Sequence, residues 1–154
     1  MESRWHNRVV TVVRARPQRL RRVCWASAGA IFVVFAAMGL LLRGTNGNGV
    51  SFHPGDRLAV GGVGLLAAAA VLTLTRPSVE ADAERIRVRN VLGSYDLPWA
   101  VVRAVRFDAG SPWVTLDLAD DEQVAVMAVQ AVDKEYAVTA VNGLRSLFAA
   151  AQQL

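Results

Sequence analysis

Two uncharged apolar runs constrain this chain more than any other feature. VCWASAGAIFVVFAAMGLLL occupies residues 23–42, and LAVGGVGLLAAAAVLTLT occupies residues 58–75. At about 1.5 Å of helical rise per residue, twenty residues reach across a hydrocarbon core of roughly 30 Å. Either run alone would also suit the buried helix of a soluble fold. Two of them, joined by the polar stretch RGTNGNGVSFHPGDR at residues 43–57, predict a transmembrane helical hairpin. Neither run holds an Asp, Glu, Lys or Arg, which disfavours an ion or proton pathway inside the pair.

A cleaved secretory leader is the competing explanation for the first run. The basic residues before it fit that idea, and Arg21-Arg22 resembles a twin-arginine signal. The run is longer than the usual 7–15-residue apolar region of a leader. It ends Leu40-Leu41-Leu42-Arg43-Gly44, with no small-residue cleavage site after it. Cys24 stands at the start of the run, which is the wrong end for lipoprotein processing. Segment 23–42 is therefore expected to be an uncleaved anchor.

Charge placement sets the expected orientation. Residues 1–22 carry seven arginines against Glu2 alone, a net of +6, whereas residues 76–154 carry eight basic and eleven acidic side chains, a net of −3. The overall +4 thus belongs to an N-terminal arm, and its position points to membrane topology or anionic lipid rather than nucleic acid. Basic residues collect on cytoplasmic flanks. That rule places both termini in the cytoplasm, with the Asn/Gly-rich linker 43–57 outside and the protein multi-pass in the cell (inner) membrane. The division expected is a basic arm at 1–22, a hairpin at 23–75 and a cytoplasmic domain at 76–154. Gly61, Gly64 and Ala68, with Ala26 and Ala30, offer small faces for close helix packing. A lone cysteine forms no internal disulfide, and Cys24 fits a reduced or membrane-embedded thiol.

After Arg76-Pro77 the apolar period changes from helical to alternating. Val79 and Ala81, then Ile86 and Val88, share one face, with Arg85, Arg87 and Arg89 on the other. Ala83-Glu84 would join these strands, without the Gly or Asn that two-residue hairpins favour. Tyr95-Asp96-Leu97 reads as a third strand, ended by Pro98, which cannot donate to a ladder. Trp99, Val102 and Val105 recur at threes, which suits one helical turn with inward apolar residues. WVTLDL and QVAVMAV follow as strands around the acidic turn Asp120-Asp121-Glu122. Asp133 is the expected N-cap of a final helix, whose Ala137, Val141, Leu144, Leu147 and Phe148 make one apolar stripe. About six short strands and one amphipathic helix imply an α+β domain, a small antiparallel sheet or half-barrel capped by its C-terminal helix.

Those pieces together resemble a known group. The P-x-V-x-A-D start at Pro77 to Asp82, the I-R-V-R-N strand, the L-P-W-x-x-V-x-x-V segment from Leu97 to Val105, W-V-x-L-x-L, Asp133 and the late L-R-x-L-F carry the likeness. Residues 77 to about 150 are similar to the bacterial pleckstrin-homology-like (PH-like) membrane protein family, of the mycobacterial low-molecular-weight protein antigen 6 type. The resemblance implies a PH-like fold behind paired membrane helices, and no established biochemical activity. It departs at Ala83-Glu84, where a glycine would be expected.

Chemistry is sparse. His6 and His53 fall on opposite sides of the expected membrane, and no C-x-x-C or H-x-x-x-H spacing occurs, so neither a metal site nor a Ser-His-Asp arrangement has a basis. No phosphate-cradling glycine motif is present. The Asp120–Glu122 carboxylates read as a solvated turn. The expectation is therefore a non-enzyme with no cofactor, acting as an interaction or scaffolding module at the cytoplasmic membrane face. Its partners would be membrane lipid, through the two helices, and an unidentified protein. Trp113 is the candidate partner anchor, with a core role left open for both Trp99 and Trp113. Two alternatives remain. One is contact of Arg85, Arg87 and Arg89 with anionic headgroups, since basic hairpin residues serve that purpose in the wider fold. The other is a subunit role in a transport or cell-envelope complex.

Overall fold

The computed structural model describes residues 12–41 and 53–153. The chain divides into two compact units: Gln18–Arg76, and the residues up to Pro17 together with those from Pro77 onward.

The first unit is a pair of packed helices, α1 (Gln18–Leu41) and α2 (Pro54–Thr73). Both are long and apolar enough to cross a membrane. Pro54 starts α2 at a position where its missing N–H is not needed, and the Asp56 carboxylate accepts the His53 backbone N–H at 2.8 Å. The seam between the helices is made of small residues one turn apart, Cys24 and Ala28 on α1 with Gly64 and Ala68 on α2. At Gly64 any β-carbon would collide with Phe35, so the backbone there sits directly on that side chain. Of the small faces expected from sequence, Gly64 and Ala68 lie in the seam, while Ala26, Ala30 and Gly61 are exposed. The outward faces carry large apolar side chains, among them Val23, Trp25, Phe32, Leu58 and Leu66, each more than half exposed.

Among the described residues, the second unit holds seven strands and one α-helix. Sheet one has the order β1 (Val13–Ala15), β2 (Ser78–Ala81), β3 (Arg85–Arg89) and β4 (Ser94–Pro98). Sheet two runs β5 (Val102–Arg106), β6 (Trp113–Leu118) and β7 (Gln123–Gln130). Every pairing is antiparallel. The alternating residues place Val79, Ile86, Val88, Val114, Leu116 and Val126 inside, and α3 (Glu135–Ala151) adds Ala137, Val141 and Leu144 to the same core. Trp99 is fully buried, and its ring meets Phe148 of α3 at 5.9 Å between centroids.

Several local expectations are revised. The strand β1 lies within the expected basic arm 1–22, and Gln18–Arg22 are already helical, so over its described part that segment belongs to the two folded units. Arg14 alternates with the inward-facing Ala15, and Tyr136 and Gly143 of α3 hold the strand. The Tyr136 hydroxyl accepts the Arg16 N–H at 3.2 Å, and a β-carbon at Gly143 would stand 2.9 Å from a Val13 methyl. The β2–β3 turn needs no glycine, because neither Ala83 nor Glu84 adopts positive φ. Instead the Asp82 carboxylate accepts the backbone N–H groups of Glu84 and Arg85 at 2.9 and 3.0 Å. The helical turn after Pro98 spans only Trp99–Val101, and Val102 already belongs to β5. Asp133 does not occupy the N-cap position of α3. It is buried in a turn of 3₁₀ helix, Ala131–Asp133, and the cap position falls to Lys134 at φ +49°.

Candidate functional site

The outward face of β2, β3 and β4 presents the most organised set of polar side chains in the second unit. Strand alternation puts Val79, Ile86 and Val88 into the core, which leaves Ser78, Glu80, Arg85, Arg87, Arg89, Ser94 and Asp96 on the solvent side. The register aligns them in rows across the sheet. One row reads Arg14, Glu80, Arg87, Asp96, with charge alternating strand by strand. The next reads Ser78, Arg89, Ser94. A depression of about 290 Å³ lies over these two rows, and Tyr95 contributes to its wall.

The three arginines of β3 are not equivalent. Arg14 pairs with Glu80 at 2.7 Å, while Arg85 and Arg87 share Asp96 at 3.3 and 3.5 Å. All these groups are well exposed, so each pair contributes no more than about 1 kcal/mol to stability. Their effect is to occupy the charges. Arg89 stands between two serines and makes no ion pair among the described residues. Of the three residues expected to face headgroups, Arg89 alone keeps its charge unclaimed. Beyond it the β3–β4 hairpin ends in Leu92, which is fully exposed.

The tryptophans separate cleanly. The Trp99 indole N–H donates to the Asp82 carbonyl at 2.8 Å and its backbone N–H to Glu84 at 3.2 Å, so it locks the first turn onto the core. Trp113 lies half-buried on the outer face of β6, opposite the buried Val114, Leu116 and Leu118. It and the β3 arginines are on different sheets, so they form no common constellation.

Other candidates resolve into structure. Asp121 adopts φ +66° and pairs with Arg103 at 2.6 Å, and the Asp120 carboxylate accepts the Glu122 N–H, so the acidic turn satisfies itself. The described residues hold no group of His, Cys, Asp and Glu that could bind a metal ion. His6 lies outside the described residues. The Asp82 carboxyl titrates below its ordinary value, first because of the Glu84 and Arg85 amides and then through the nearby Arg87 and Arg85 charges.

Sequence reasoning missed two polar residues that close the domain. The Asn90 side chain donates to the Ala125 carbonyl at 2.7 Å and accepts the Met127 N–H at 3.3 Å, joining β3 to the free side of β7. Arg145 of α3 donates to the Val105 carbonyl at 3.3 Å. Asn90 breaks the alternation of IRVR, which was the one available sign that it does something other than line a face.

Residues 76–147 match the bacterial PH domain family. Two curated relatives, the uncharacterized proteins Rv1417 of Mycobacterium tuberculosis and Mb1452 of Mycobacterium bovis, are each 43% identical over 134 residues, which is 87% of this chain and 86% of theirs. The chain belongs to the bacterial PH domain family. The match to this bacterial PH domain begins before β2 and ends within α3, so β1 lies outside it. The relatives extend the likeness well beyond the domain. No solved structure matches the chain.

Proposed function

We propose that this bacterial PH domain protein is a non-catalytic interaction module, anchored in the cell membrane by α1 and α2 and displaying its domain to the cytoplasm. The arginines before α1 and after α2 support that orientation by the positive-inside bias. Strand pairing supports a common side for both ends of the helical pair. β1 precedes the helical pair and β2 follows it, yet the two strands are neighbours, so a membrane crossed by α1 must be recrossed by α2. Cleavage of a leader after α1 would also remove β1 from its sheet.

The observation that carries the functional proposal is the Ser78–Arg89–Ser94 row beneath its depression: a cation with no ion-pair partner among the described residues, flanked by two hydroxyls on the sheet. Arg14 holds Glu80, and Arg85 and Arg87 share the one carboxylate of Asp96, whereas Arg89 pairs with no carboxylate among the described residues. Site-specific photo-crosslinking tests the proposal, with the probe placed at Tyr95 of the full chain in native membranes. A discrete protein adduct that fades in Arg89→Glu is expected. Labelling of lipid alone, or an adduct indifferent to Arg89, would refute it.

A second reading is favoured by Leu92, an apolar side chain wholly exposed beside Arg89. In that case the hairpin tip rests on anionic lipid, with Arg89 at headgroup level and Arg85 and Arg87 behind it. A cation near an anionic leaflet contributes on the order of 1 kcal/mol. An environment-sensitive fluorophore on Leu92→Cys, in a Cys24→Ala background, reads this directly. Its emission should shift to the blue in anionic nanodiscs and stay unshifted in neutral ones; equal spectra would remove the lipid contact. Fragments for such work must retain residues 12–17, because β1 is part of the sheet.

A further inference from the structure

Strand edges expose unpaired backbone groups, and folded proteins cover or blunt them. Among the described residues this domain has four strand edges, and the hydrogen bonds show how each is treated. On β7 the Asn90 amide takes the Ala125 carbonyl and the Met127 N–H, and the Gln130 side chain donates to the Met127 carbonyl. On β5 the Val105 carbonyl is taken by Arg145. On the far side of β1 the Arg16 N–H is taken by Tyr136, and that strand is only three residues long. Three of the edges are thus held by a side chain from elsewhere in the domain.

The β4 edge is different. The bonds from Asn90 N–H to Gly93 and from Trp99 N–H to Glu84 fix the phase of the β3–β4 ladder. Gly93, Tyr95, Leu97 and Trp99 turn their backbone groups toward β3, so Ser94 and Asp96 turn theirs outward. No described residue takes those groups. Pro98 removes the donor at one end and leaves two donors and their carbonyls free.

We infer that β4 is a docking strand, which pairs with an extended segment of a partner protein that alternates acidic and apolar residues. This inference rests on the interaction-module proposal and names the chemistry of the partner. The charge argument comes from the two outer strands. Arg85, Arg87 and Arg89 face solvent on β3 against Asp96 alone on β4, and Asp96 is already bridged by Arg85 and Arg87. Arg89 lies across from Ser94, whose short side chain leaves the guanidinium open from the β4 side. An acidic side chain placed opposite Ser94 would enter the 290 Å³ depression and meet Arg89. The other face of an added strand would adjoin Tyr95, which is nearly half exposed, and the half-buried Leu97. Alternation along the partner then follows from strand geometry. A second copy of the chain fits poorly, because antiparallel self-pairing centred on β4 sets Asp96 against Asp96.

The test uses the full chain in nanodiscs and two labelled synthetic peptides, one alternating Glu with Val and the other Lys with Val. Fluorescence polarisation should show saturable binding of the Glu peptide and at least about tenfold weaker binding of the Lys peptide. N-methylation of alternate peptide amides should abolish binding if the register matches, and Arg89→Glu should weaken it by about tenfold. Ser94→Pro removes an outward donor without touching the β3 ladder, so it should abolish binding while thermal unfolding shows that the domain still folds. Equal binding of both peptides, indifference to N-methylation, or concentration-dependent self-association through β4 would overturn the inference. A protein adduct at Tyr95 in native membranes without peptide binding would overturn this edge alone and leave the interaction module standing.

Discussion

Replacing Asn90 with alanine should be among the most damaging single polar substitutions in the domain. The side chain holds one carbonyl and one N–H of β7, at 2.7 and 3.3 Å, from partly buried positions. Alanine leaves both groups without a partner, and no nearby side chain replaces them among the described hydrogen bonds. Stranding a buried polar group costs about 1–3 kcal/mol. The longer bond and partial exposure put the sum near the lower end, at roughly 2 kcal/mol. A domain of this size has about 5–15 kcal/mol to lose, and each kcal/mol shifts Tm by about 4–8 °C. The expected fall is therefore roughly 8–16 °C, read by near-UV circular dichroism of the full chain in mild detergent. Asn90→Asp retains the acceptor but sets a carboxylate against the Ala125 carbonyl, so it should fare no better. Both variants should also aggregate sooner, because the β7 edge is released. A loss below about 0.5 kcal/mol, the level of an ordinary surface change, would refute the assignment of Asn90 as the closing residue.

Three further outcomes are expected. Gly64→Leu forces a side chain into Phe35 and should separate α1 from α2, lowering the yield of folded protein in detergent, whereas Gly61→Leu at an open position should be tolerated. Lys134→Gly relieves a positive φ at the start of α3 and should raise stability by about 0.5–1 kcal/mol in a denaturant titration. Asp82 is depressed in the folded state, so its contribution is complete above its ordinary value of 3.8 and is lost as pH falls through the lower folded value. The stability gap between the natural chain and Asp82→Asn should accordingly close on acidification below about pH 4, and a gap that widened instead would contradict the turn chemistry.

The strands from Val79 to Val126 and the stripe of α3 were legible because one face of each is buried and a period of two or 3.6 records that fact. The helix seam was only half legible. Helices apolar on every side carry no period that marks the contact face, so Ala26 and Ala30 were expected there while Cys24 and Ala28 are the buried pair. β1 escaped notice because its three residues lie among arginines, and its partner strand begins more than sixty residues later. Asn90 and Arg145 cap groups on strands distant in sequence, and such roles exist only once the register is set. The bridging of Arg85 and Arg87 by Asp96, and hence the distinct position of Arg89, depends in the same way on which residue of β4 lies opposite.

The neighbouring positions of β1 and β2 also order events in time. Val13 pairs with Ala81, so the first strand leaves the ribosome with no partner and waits through synthesis of both helices. Closing so long a loop in a free chain carries an entropic cost that grows with the logarithm of its length. An antiparallel helix pair that has already formed shortens the effective loop to a few residues. On the proposed topology, sheet one should therefore complete only after α1 and α2 have inserted, and a chain whose helices fail to insert should display an unfinished sheet. The fold would thus report on its own delivery: only an inserted chain acquires the closed domain.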